Sequence, residues 1–142
     1  MNGSLAGALG GLVGGIAFGL LLQAMMSDVI TVAIPALYGV SGLVAGWVVH
    51  LFNSVVFGVV FGAAMSTSWF AGYGDSYAGA GVLGLVYGVL LWVVAAGIVM
   101  PVWLDVVGFA GAPPVPNLDP MSLVGHLVYG VLLGVGYVAF RR

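Results

Sequence analysis

Two side chains in this chain combine reactive chemistry with an unusual place. His50 and His126 are its only imidazoles, and each lies deep in a long apolar run. Ionisable groups in such runs are costly to bury and mark ligand sites, proton paths or bonds between helices. A neutral imidazole ligates haem iron or a metal ion, hydrogen-bonds through both nitrogens, or relays a proton. Their neighbours follow a period of four. Gly42, Gly46, His50, Ser54, Gly58 and Gly62 form one series, and Ser122, His126, Gly130 and Gly134 a second. Positions four apart share one face of a helix. Each histidine therefore stands in a stripe of very small side chains, where another backbone or a flat group can come close.

The elements that position them are membrane helices. The chain of 142 residues is 63% hydrophobic, and its charged side chains are Asp28, Asp75, Asp105, Asp119, Arg141 and Arg142. A soluble domain carries roughly 25% charged residues to face water; this chain carries 4%. The surrounding medium is therefore lipid. Cysteine is absent, which excludes disulfides, thiol nucleophiles and thiolate metal sites. Lysine is absent too, which excludes a retinal Schiff base. A net charge of −2 gives no reason to expect a nucleic-acid partner.

A hydrocarbon core of about 30 Å takes roughly 20 apolar residues of helix. Four segments meet this, over about 5–26, 42–65, 79–100 and 121–140 of one transmembrane domain, 1–142. Met1-Asn2-Gly3-Ser4 lacks the basic start of a signal peptide, so the first segment is expected to be a retained span. It carries Gly3, Gly7, Gly11, Gly15 and Gly19 every fourth residue, and the third span carries Gly84 and Gly88. Small-xxx-small stripes let helices cross closely. The packing set is therefore Gly7, Gly11, Gly15, Gly19, Gly46, Ser54, Gly58, Gly62, Gly84, Gly88, Gly130 and Gly134.

Between the first two spans, residues 29–41 with Pro35 form either a short interfacial helix or the continuation of a span. Pro101, Pro113, Pro114 and Pro116 predict an outer loop over 101–120. Trp69, Phe70, Tyr73 and Tyr77 mark the opposite interface. Arg141 and Arg142 put both termini on the cytoplasmic side of the plasma membrane, by the positive-inside rule. Asp28, Asp105 and Asp119 then face outward and Asp75 inward.

The second half echoes the first. Gly11-Leu12-Val13-Gly14 matches Gly81-Val82-Leu83-Gly84, Ala33-Ile34-Pro35 matches Val99-Met100-Pro101, and His50-Leu51 matches His126-Leu127. Each unit crosses twice and returns to its starting side. The two hairpins should therefore relate by a pseudo-twofold along the membrane normal, giving an all-α, integral membrane four-helix bundle. Three runs, Met100-Pro101-Val102-Trp103-Leu104, Gly111-Ala112-Pro113-Pro114-Val115-Pro116-Asn117 and Ser122 through Gly130 around Gly125-His126-Leu127, resemble a group of small haloarchaeal membrane proteins. The likeness is strongest over the second half. It implies a four-span membrane protein and brings no established activity. Members often bear the automatic label histidine kinase, but no segment here can supply the soluble nucleotide-binding domain a kinase needs.

The first reading of the histidines is that each hydrogen-bonds across a close helix contact, with Asn53 three residues after His50 and Tyr129 three after His126 sharing its network. The protein is then a non-enzymatic polytopic component, a close-packing subunit of a homo-oligomer or larger membrane complex. A second reading makes His50 and His126 axial ligands of haem b in an electron-transfer subunit, its propionates reaching out toward Tyr38 or Trp103. A metal such as copper, with Met25, Met100 or Met121, is a variant of it. A third is a small pore or carrier with a histidine-lined path. Gly79-Ala80-Gly81-Val82-Leu83-Gly84 fits a dinucleotide fingerprint, yet it opens a membrane helix and follows no strand, so its spacing serves packing.

Overall fold

Lipid offers the backbone no hydrogen-bond partner, so a glycine-rich apolar run that would be a poor helix in water holds as one. The computed structural model describes residues 1–142, and its first helix, α1 (Gly3–Met25), is such a run. The Asn2 side chain caps it, accepting from the Leu5 N–H at 2.8 Å. Next comes α2, a π-wound turn Val29–Ala33 continuing as Ile34–Ala36. Then follow α3 (Leu43–Met65), α4 (Tyr77–Val106) and α5 (Pro120–Arg141). Asp119 caps α5 by accepting from the Ser122 N–H at 2.9 Å, with Pro120 fixed at the first position, where no N–H is needed. α1, α3, α4 and α5 are each long and apolar enough to cross a membrane.

The third span does not stop at Pro101, as the sequence reading had it. It winds as a π-helix over Leu91–Val99 and runs on to Val106, so the outer loop begins later than expected. Proline cannot donate to the carbonyl one turn back and its ring crowds that carbonyl. A wider turn relieves the crowding, and the Met100 N–H reaches back five residues to the Ala95 carbonyl. The Gly97 carbonyl, four residues before Pro101, accepts instead from the Asn117 N–H of the returning loop at 2.9 Å. The first half repeats the device. Ile34 reaches back to Val29, and the Thr31 carbonyl, four residues before Pro35, accepts from the Gly42 N–H at 3.0 Å. The internal repeat is thus a repeated solution to one backbone problem.

Glycines seam the helices together. On α1, a Cβ at Gly7 would strike the Gly58 carbonyl, and one at Gly11 would lie 2.5 Å from the Ser54 carbonyl oxygen. Gly62 meets the Gly3 carbonyl, Gly46 meets the Ile30 carbonyl of α2, and Gly19 seats the Trp47 ring. Between α4 and α5, Gly84 meets the Gly130 carbonyl, Gly88 the His126 carbonyl and Gly134 the Ala80 carbonyl. With the histidine helices as reference, the carbonyl facing Gly11 is that of Ser54 and its counterpart, that of Gly130, faces Gly84. The true partner of Gly11 is therefore Gly84, one turn beyond the Gly81 of the sequence match.

A third seam was not anticipated. Gly10 and Gly14, on the other side of α1, face the Leu133 carbonyl at 2.7 Å and the Tyr129 carbonyl at 2.8 Å, and Gly136 abuts Gly10. Helix α1 is glycine-faced on two sides and sits between α3 and α5. Helices α3 and α4 meet differently, through large side chains. The Tyr87 hydroxyl donates to the Phe57 carbonyl at 2.9 Å, and Phe61 packs on Tyr87 and on Tyr137. Phe61, Met65, Leu133 and Tyr137 fill the half of the bundle nearest the termini. Stripes of exposed apolar residues, Val44, Val48 and Phe52 on α3 and Val82, Val86 and Leu90 on α4, face outward as lipid-covered surfaces do. Both termini leave at one end, where the Met1 ammonium donates to the Arg141 carbonyl at 3.3 Å and Arg141 lies 4.0 Å from an exposed Asp75 carboxylate.

Candidate functional site

His50 sits in the first half of α3, opposite the glycines of α1, and is only 7% exposed. The Gly15–Gly19 turn leaves room for its ring, and the Cδ2 atom lies 3.1 Å from where a Gly19 Cβ would be. On the same edge, Nε2–H donates to the Gly15 carbonyl at 2.9 Å. A carbonyl can only accept, so that nitrogen holds the proton and, in the neutral ring, Nδ1 is an acceptor. Nδ1 has no partner within the chain and is not sealed from the space beside it. The ring's place is set by a further chain of bonds. The Ser54 hydroxyl donates to the His50 carbonyl at 2.7 Å, and the Tyr129 hydroxyl of α5 donates to the Ser54 carbonyl at 2.6 Å.

His126 is oriented by the same logic from its own helix. Its Nδ1–H donates to the Ser122 carbonyl one turn back, at 2.7 Å, with the Ser122 hydroxyl at 3.3 Å. Nε2 is then the acceptor, again with no partner in the chain. Both rings touch Phe18 of α1 edge-on, at centroid distances of 5.4 Å for His50 and 4.8 Å for His126. Gly125 makes room for that phenyl ring, since a Cβ there would strike it.

The two histidines line one cavity of about 160 Å³, between α3 and α4 in the half of the bundle away from the termini. Its walls are mostly apolar, with Phe18, Leu22, Ile34, Leu91, Met100 and Tyr129 among them. Val99 and Trp103, both partly exposed, mark its mouth on α4. Tyr38 packs against Trp103 at 5.3 Å and donates to Asn53 Oδ1 at 3.2 Å, bracing the outer rim.

Sequence and structure agree that both imidazoles turn inward and share a site. They differ over what holds them. Asn53 bonds Tyr38 and not His50, and Tyr129 bonds the Ser54 carbonyl and not His126. Backbone carbonyls of Gly15 and Ser122 are the true partners. Trp103, named at the outer end of the site, lines the cavity, whereas Phe18, which stands against both rings, was not singled out as a lining residue. An apolar residue in an apolar run carries no signal of which side it faces. Of the methionines offered as metal ligands, Met100 lines the cavity, whereas Met25 and Met121 lie at exposed positions elsewhere.

Haem does not fit this arrangement. A cavity near 150 Å³ accepts a benzene-sized guest, far smaller than a porphyrin, and Phe18 occupies space against both imidazoles. Propionates would also lack a cation, because Arg141 and Arg142 are engaged with Tyr137 and Asp75 at the other end of the bundle.

Fold and site together define a polytopic membrane protein with four helical spans and a histidine-lined cavity within the bundle. Comparison with protein-family models, curated proteins and solved structures gives no match.

Proposed function

We propose that this is a non-catalytic integral membrane protein that binds a small, mostly apolar molecule in the cavity between α3 and α4. One observation carries the reading: two imidazoles, each with one ring nitrogen left as a bare acceptor by a backbone carbonyl that fixes the other, line the same apolar cavity. A polar nitrogen that faces an apolar space without a partner is costly. A ligand with a hydrogen-bond donor and a ring-sized body would relieve that cost. The expectation of a close-packing subunit rested on the glycine stripes, and these are taken up by contacts inside the chain. The surface that remains is valine-rich and suited to lipid. Burial of Phe61, Met65, Leu133 and Tyr137 below the histidines favours a closed cavity over a pore.

Phenol tests the reading, being benzene-sized with one donor. A ligand that binds only the folded state stabilises it by about 1.4 kcal/mol at ten times its Kd. In detergent, phenol should raise the unfolding temperature more than benzene does. The excess should vanish when His50→Leu and His126→Leu are combined. Equal effects of phenol and benzene, or none from either, would remove the proposal.

The same reading places the protein in the plasma membrane with both termini cytoplasmic, supported by the arginines at the shared terminal end. The cysteine-free chain makes this easy to check. In intact cells an impermeant maleimide should label a Pro114→Cys variant in the outer loop and leave Ser68→Cys, in the α3–α4 connection, unlabelled until the cells are opened. The reverse pattern would invert the topology.

A further inference from the structure

Resting on that reading, we infer that the cavity's ligand is the ring of a lipid-borne hydroquinone, with its two hydroxyls donating to His50 Nδ1 and His126 Nε2. Polarity is the first argument. The Gly15 and Ser122 carbonyls fix both tautomers, so the site offers two acceptors whose character cannot switch without breaking a 2.9 Å and a 2.7 Å bond. A guest that satisfies both must carry two donors on one body. The nearby tyrosine donors are already spent, Tyr129 on the Ser54 carbonyl and Tyr38 on Asn53. The Asn53 amide and the Trp103 indole N–H are the donors left, both at the rim, against two acceptors within.

Size and access are the second argument. The volume of about 160 Å³ matches a single six-membered ring, and Phe18 presents an aromatic edge beside it. The mouth at Val99 and Trp103 lies on α4, a helix whose exposed stripe faces lipid, so the ligand enters from the bilayer. A ring carrying an isoprenoid tail suits this opening, the ring inside and the tail among the acyl chains. Donor count also makes the site selective for redox state. The oxidised quinone carries two acceptors and would set lone pair against lone pair at both imidazoles. A site built to bond a hydroxyl rejects the analogue lacking it far more strongly than a missing methylene is rejected.

The test is made on the wild-type protein in detergent under anaerobic conditions, so it does not depend on any variant folding. Binding of a benzoquinol with one short isoprenoid tail is measured by tryptophan fluorescence or by thermal shift, beside its quinone and the tail alcohol alone. The quinol should bind at least tenfold more tightly than either comparator. His126→Gln, which displaces the acceptor and adds an NH2 donor to the site, should reduce that preference. Quinone binding equal to or tighter than quinol, or equal binding of the tail alcohol, overturns the assignment. If none of the three binds while phenol still stabilises the protein, the assignment falls and the cavity reading stands.

Discussion

Gly58→Ala is expected to destabilise the bundle by about 3 kcal/mol, a large effect for one methyl group. The new Cβ would strike the Gly7 carbonyl and lie 2.9 Å from the Gly11 Cα. Both obstacles are backbone, so neither can rotate away. The helices must separate, and every contact along the α1–α3 seam loosens with them. Gly81→Ala is the control. Its Cβ would meet nothing nearer than Val135 Cγ2 at 3.8 Å, and alanine favours helix over glycine by up to about 1 kcal/mol. That variant should be neutral or slightly more stable. Unfolding in mixed micelles, followed by tryptophan fluorescence, compares the two. Equal losses would show that glycine content, and not the interlocked seam, is what matters.

That contrast also marks how far the sequence could be followed. The spans were legible because lipid demands long apolar runs and tolerates no exposed backbone. The period of four at Gly7, Gly11, Gly58 and Gly62 identified a close seam because only one helical face carries that spacing. Gly10 and Gly14 were overlooked for a physical reason: a glycine names a close approach but not the neighbour that approaches. Pro101 was taken as an end because proline usually ends a helix. The compensation, a π turn with a loop N–H on the freed Gly97 carbonyl, depends on Asn117 arriving from twenty residues away. The imidazoles' partners were illegible in principle. Every residue owns a carbonyl, so nothing in the types of Gly15 and Ser122 says that theirs are the ones used.

Phe18→Ala is expected to cost about 3 kcal/mol and to change which ligands fit. In lipid this loss comes from forfeited packing contacts and not from hydrophobic transfer. The phenyl ring lies against His50, His126 and the bare face of Gly125, so its removal merges the vacated space with the cavity. The variant should admit 2-naphthol, which the wild type should exclude, and each ligand should restore part of the lost stability by binding only the folded state. Gly125→Leu supplies the reciprocal test. Alone it should be at least as damaging as Phe18→Ala, because its side chain would have to share the place of the phenyl ring. Combined with Phe18→Ala it refills that volume from the opposite helix, and the double variant should recover at least 1 kcal/mol relative to the sum of the two single losses. Strict additivity would mean that the two positions do not share the space, and then Phe18 could not be the wall that sets the size of the site. A recovered fold that still binds phenol but refuses naphthol would tie ligand size to this one ring.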